Sequence, residues 1–131
     1  NPKIEITAID LLELKINHPN ITFLKDDYLK FDYKKKENFY DLILSDIAPN
    51  TTGHQSTDHL RISSMLFELI ELLDHILING GNFVTKIWKG SEEKELINKL
   101  KKKFQVVSYF KPDSSRKDSA EIFIIARNFN K

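Results

Sequence analysis

Cysteine is absent from this 131-residue chain. That excludes a disulfide scaffold, a thiolate metal site and a cysteine nucleophile, and it fits a reducing compartment. Glycine and proline are scarce, with 4 of each, too few for a collagenous or low-complexity chain. Charge of one sign is not in excess either. The 20 Lys and Arg against 19 Asp and Glu leave a net +1, so no global field marks a nucleic-acid partner. Long hydrophobic runs are missing. The longest helical apolar stretch, Ile62 to Ile78, is cut by Glu68, Glu71, Asp74 and His75, whereas a membrane span needs about 20 mostly apolar residues. No secretory signal pattern opens the chain. The expected location is the cytoplasm, or an organellar matrix in a eukaryote. What is present is a 40% hydrophobic fraction, sufficient for the core of one ordinary domain.

The patterning alternates strands and helices. Ile4 to Ile9 reads as a β-rich run ending at Asp10, and Ile21 to Leu24 as a second, ending at Lys25-Asp26-Asp27. A polar stretch over residues 28–39 leads to a third strand, Tyr40 to Ser45, which ends at Asp46. A polar loop from Ile47 to Asp58 follows. Ile62, Met65, Leu66, Leu69, Ile70, Leu73, Ile76 and Leu77 then recur at spacings of three and four, an amphipathic helix. Asn79-Gly80-Gly81 is expected to stop it, a glycine supplying the left-handed residue. Asn82 to Trp88 is a strand, and a helix capped by Ser91 follows, with lysines at its far end. Phe104 to Phe110 and Glu121 to Ala126 are the last strands. Their linker is polar and too short for a usual parallel crossover, so they should pair antiparallel. The class is α/β, a mostly parallel sheet with helices on its faces and a C-terminal antiparallel strand.

In such sheets ligands bind beyond the carboxyl ends of the parallel strands. Asp10, Asp27 and Asp46 each follow a strand end. Three acids there suit ribose hydroxyls and an adenine amine, while each alone could simply cap the next turn. Lys86 sits inside a strand that should be largely buried, where lysine is rare unless paired. Glu121 is a second misplaced charge, opening the apolar run Ile122 to Ile125. If that last strand is antiparallel, Asp46, Lys86 and Glu121 meet at one sheet edge. Carboxylate, ammonium and carboxylate there form either a catalytic constellation or a structural ion-pair network. No pair among His18, His54, His59 and His75 has a convincing metal spacing, so no metal site is expected. Ser114, Ser115 and Ser119 have no histidine partner nearby in sequence. The best phosphate contacts are Lys111, Arg116 and Lys117, in the loop leading to Glu121.

Leu44-Ser45-Asp46-Ile47-Ala48-Pro49-Asn50-Thr51-Thr52-Gly53 is similar to the SD-M-APN-x-x-G loop of the FtsJ/RrmJ family of RNA ribose 2'-O-methyltransferases. Asp10-Leu11-Leu12, Asp58-His59-Leu60-Arg61, Phe83 to Gly90, Lys111 to Arg116 and Ser119-Ala120-Glu121 fit that family in order. The resemblance covers essentially the whole chain and looks most like the bacterial and organellar branch. It implies a Rossmann-like class I methyltransferase fold and S-adenosylmethionine as methyl donor. Its substrate would be a uridine ribose of large-subunit ribosomal RNA, with transfer-RNA and cap-directed members as the nearest rivals. A monomer with no membrane partner is expected.

The same resemblance implies a lysine-aspartate-lysine-glutamate tetrad, of which Asp46, Lys86 and Glu121 match three members. Asp10 and Asp27 match positions contacting the cofactor's nucleoside half, Asp27 nearer the adenine, and Asp46 would lie beside the sulfonium. No residue matches the first lysine, the glycine-rich cofactor loop, or the family's first strand and helix. Residues 1–131 are therefore expected to be a single partial domain, the C-terminal two-thirds of the family's, inactive in isolation. Trp88-Lys89 stands where the family usually has Phe-Gln. The competing functional class is a non-catalytic RNA-binding or interaction module that kept the fold. Retention of all three convergent charges favours the enzyme.

Overall fold

The computed structural model describes residues 4–13, 15, 17–47, 55–88, 93–111 and 121–131. They fall into two units, Asn1–Lys35 and Lys36–Lys131, each with its own sheet.

In the first unit, β1 (Ile6–Asp10) and β2 (Ile21–Lys25) run parallel, paired from Ile6↔Ile21 to Asp10↔Lys25. Their β-branched residues favour the extended backbone. The Asn20 N–H donates to His18 Nδ1 at 3.1 Å, so this histidine shapes the turn before β2. Beyond β2, the Tyr33 hydroxyl donates to the Tyr28 carbonyl at 2.7 Å, and Phe31 meets the Tyr33 ring edge-on at 4.9 Å. Every described side chain of this unit is half-buried or exposed.

The second unit holds β3 (Tyr40–Ser45), α1 (Gln55–Ile76), β4 (Leu77–Trp88), α2 (Glu93–Lys103), β5 (Phe104–Phe110) and β6 (Glu121–Phe129). The strand order is β3-β4-β6-β5. β3 and β4 are parallel, while β6 is antiparallel to both β4 and β5. The chain thus moves in one direction across the sheet from β3 through β4 to β5. Right-handed crossovers then put α1 and α2 on the same face. Lys99–Glu71 at 3.2 Å and Lys103–Asp74 at 2.7 Å tie the two helices together. Lys99 and Lys103 of α2 are therefore engaged with α1.

The core lies between these helices and the sheet. Leu66, Leu69, Ile70 and Leu73 of α1 and Leu96, Ile97 and Leu100 of α2 are buried there. Phe83, Thr85 and Ile87 of β4 and Ile122, Ile124 and Ala126 of β6 are buried on the facing side. The alternate residues Val84, Lys86, Phe123 and Ile125 are only half-buried. Leu44, on that second face through its pairing with Val84, is 70% exposed.

The glycines do not stop α1 as the sequence leads one to expect. The helix ends at Ile76 and Leu77 already belongs to β4. The Asn38 and Phe39 N–H groups donate to the His75 and Ile76 carbonyls at 2.9 and 3.0 Å. Chain from another part of the unit thus satisfies the helix end, and no glycine cap is needed. Gly80 instead serves a bulge in β4, with φ of 83°. There the pairing jumps from Tyr40↔Leu77 to Leu42↔Asn82. At Gly81 a Cβ would come within 2.7 Å of the Leu77 side chain and 3.0 Å of the Ile78 carbonyl oxygen. β6 runs three residues beyond its expected end at Ala126, to Phe129. Phe129 is buried and packs against the Phe104 ring at 5.1 Å. The Ser91 cap lies outside the described residues.

Candidate active site

β6 enters the sheet beside β4, and the register sets Trp88 opposite Glu121 and Lys86 opposite Phe123. On the other side of β4, Ser45 pairs with Thr85, so the next residue, Asp46, comes level with Lys86. Three charges distant in sequence thereby meet at one edge. Lys86 Nζ lies 3.0 Å from Asp46 Oδ1 and 3.7 Å from Glu121 Oε2.

The Lys86 side chain is 22% exposed, against 63% for Asp46 and 38% for Glu121. Its stem is packed in the sheet while the ammonium reaches the rim. The hydrogen bond to Asp46 raises the Lys86 pKa above its ordinary value, and the charges of Asp46 and Glu121 add to this. Burial opposes them without prevailing. At neutral pH the site therefore presents an ammonium steadied by two carboxylates. Such a group can hold an oxygen by donating a hydrogen bond, but it cannot remove a proton in that state.

The other acids stand in the first unit. The Leu12 N–H donates to Asp10 Oδ1 at 2.9 Å, and the Leu29 N–H to Asp27 Oδ1 at 2.9 Å. Both aspartates thus shape their own turns, which was the alternative open to each of them. A carboxylate has acceptor capacity beyond one such bond. One such bond therefore does not saturate either group.

Lys111 is exposed and directly follows β5. Arg116 and Lys117 lie outside the described residues, as do the Ala48 to Gly53 loop motif and His54. The Asp58 and His59 side chains are also outside them.

Sequence reasoning missed three features near this edge. The Ser45 hydroxyl is buried without a hydrogen-bond partner among the described residues. Tyr109 has its pKa raised by burial and by Glu93, which also hydrogen-bonds it, tying the end of β5 to the start of α2. Phe110 is 53% exposed at the end of β5. A serine or an aromatic closing an apolar strand carries no pattern that separates it from core.

A family model for FtsJ-like methyltransferases matches residues 1–129. The ribosomal RNA large subunit methyltransferase E of Rickettsia bellii is 38% identical over 133 residues, covering 98% of this chain and 58% of that protein. The protein of the same name from Caulobacter vibrioides is 48% identical over 89 residues, 68% of this chain and 39% of that one. This chain thus spans little more than half the length of such relatives, or less. A Plasmodium falciparum crystal structure, described as a candidate ribosomal RNA methyltransferase, superposes with a TM-score of 0.79 at 28% identity, covering 95% of this chain and 72% of that one. The FtsJ/RrmJ resemblance and the α/β methyltransferase fold expected from the sequence are both borne out. The chain belongs to the FtsJ-like methyltransferase family.

Proposed function

We propose that this chain is the part of an S-adenosylmethionine-dependent RNA methyltransferase that presents a ribose 2'-hydroxyl for methylation. Its substrate is a uridine of large-subunit ribosomal RNA. The observation that supports this most is the Lys86 ammonium held by Asp46 and Glu121 at the ligand edge of the sheet, in a chain of this family.

S-Adenosylmethionine supplies a methyl group on a positively charged sulfur. Asp10 and Asp27 would hold its nucleoside half through carboxylate oxygens. Asp46, largely exposed, favours positive charge beside it and steadies Lys86. Lys86 orients the 2'-hydroxyl oxygen, and Glu121 fixes the ammonium or the ribose. For Lys86 to take the hydroxyl proton near pH 7, its pKa must fall well below its ordinary value. The two carboxylates act in the opposite sense. Added cations are needed to reverse the balance, and the sulfonium and the tetrad's other lysine are the two available in this chemistry. Lys111, Arg116 and Lys117 would contact RNA phosphates. We place this activity in a monomer acting where large ribosomal subunits are found, the cytoplasm or an organellar matrix.

A chimera joining the remaining portion of the Rickettsia bellii relative to this chain tests the proposal. It should transfer labelled methyl groups to undermethylated large-subunit RNA. Lys86→Ala should then lower the rate about 10²–10⁴-fold. S-Adenosylmethionine affinity, read by calorimetry, should stay within about tenfold, because Lys86 acts on the hydroxyl rather than the adenosine. Cofactor binding lost in step with activity would overturn the role given to Lys86, and a chimera without transfer would overturn the function.

A further inference from the structure

The sheet face that carries Lys86 continues beyond it. Lys86 lies opposite Phe123 across the β4–β6 pair, and Phe123 lies opposite Phe110 across the β6–β5 pair. Directly opposed residues project from the same face. Lys86, Phe123 and Phe110 therefore form one row across three strands, leading away from Asp46. α1 and α2 occupy the other face. Phe123 is half-buried and Phe110 is 53% exposed.

With strands about 4.8 Å apart, the Phe110 backbone stands about 9.6 Å from that of Lys86. A hydroxyl hydrogen-bonded to an ammonium, the sugar that bears it, and a base stacked on a ring together span a comparable distance. Lys111, next in the chain, adds positive charge at the same corner.

We infer that Phe110, with Phe123 beside it, is the stacking platform for the base of the nucleotide whose ribose meets Lys86. This rests on the 2'-O-methyltransferase function proposed above. The row begins at a cationic site and ends beside a lysine. A nucleotide matches that sequence of surfaces, with a ribose oxygen for the ammonium, a π-face for the ring and a phosphate for Lys111. The platform has no donors or acceptors to read base edges. It therefore selects an unstacked nucleotide, single-stranded or extruded from a helix, rather than a particular base.

Fluorescence anisotropy and quenching on the full 131-residue chain test this, with a short single-stranded RNA carrying one 2-aminopurine as probe. Phe110→Ala should weaken binding about tenfold and relieve quenching of the probe, while Phe110→Trp should retain affinity. RNA should also quench the tryptophan fluorescence of Phe110→Trp carried on a Trp88→Phe background, where position 110 holds the sole tryptophan, a readout that survives if the alanine variant fails to fold. Equal affinity of Phe110→Ala and the unaltered chain, or no binding by the unaltered chain, overturns the platform.

Methyl transfer by the chimera separates the two proposals. Phe110→Ala should raise KM for RNA and leave kcat nearly unchanged. Unchanged KM and kcat would discard the platform and keep the methyltransferase. A chimera without transfer would discard the methyltransferase, and the anisotropy would still report whether Phe110 stacks a base.

Discussion

The two units of this chain are built from similar strands but differ in what those strands bury. β3, β4, β5 and β6 have two amphipathic helices on one face, and Phe83, Leu73 and Ala126 there are fully buried. β1 and β2 form a parallel pair in which no described side chain is buried. Parallel strands ordinarily lie in sheets covered on both faces, and two strands alone are marginal in water. Charge placement follows the same division. Lys86, which needs a rigid surround to be held by two carboxylates, sits in the unit with the core. Asp10 and Asp27, whose carboxylates support their own turns, sit in the unit without one. Precise positioning of a charge costs conformational entropy, and packed side chains supply the compensation.

The largest expected effect sharpens that contrast. Phe83→Ala should lower stability by about 3–5 kcal/mol in denaturant unfolding, as large truncations in a packed core do. Phe23→Ala, on half-buried β2, should cost less than about 1 kcal/mol. Equal losses would break the division into a cored and an uncored unit.

Next comes the pH dependence of Lys86. Its folded pKa is raised above the ordinary 10.5. The stabilisation is therefore fully present below the unfolded value and lost as pH rises through the folded one. Lys86→Met should lower the thermal midpoint by an amount corresponding to about 1 kcal/mol. That gap should stay constant from about pH 7 to pH 9 and close above roughly pH 10.5. A gap that instead widens as pH rises from neutrality would show that Lys86 loses its proton earlier in the folded chain than in the unfolded one, the reverse of an ammonium held by carboxylates.

The smallest effect lies at the surface of the cored unit. Lys103→Ala removes the 2.7 Å contact to Asp74 and should cost about 0.2–1 kcal/mol, shrinking in high salt. A salt-independent loss would assign the effect to packing of the lysine stem instead.

Much of this is legible in the sequence. β3 and β5 have the ends that their apolar, β-branched runs and flanking polar residues mark. The stripe from Ile62 to Ile76 announces α1 because helical periodicity is a local property. Where a boundary depended on distant chain, local signals misled. Asn79-Gly80-Gly81 looks like a helix stop, yet the N–H groups of Asn38 and Phe39 cap α1 and Gly80 is spent on a strand bulge.

The candidate site divides along the same line. By itself the sequence determined that Asp46, Lys86 and Glu121 are charges at strand ends or within apolar strands, because burial of an unpaired charge is costly enough to mark such residues. Only the tertiary structure decided that β6 inserts between β4 and β5. It alone decided that the register sets Lys86 opposite Phe123 and, through Phe123, in line with Phe110. Strand order and register arise from pairing between segments far apart in the chain. A one-residue slip would move every side chain of β6 to the other face, so no local pattern encodes which aromatic ring ends beside the ammonium.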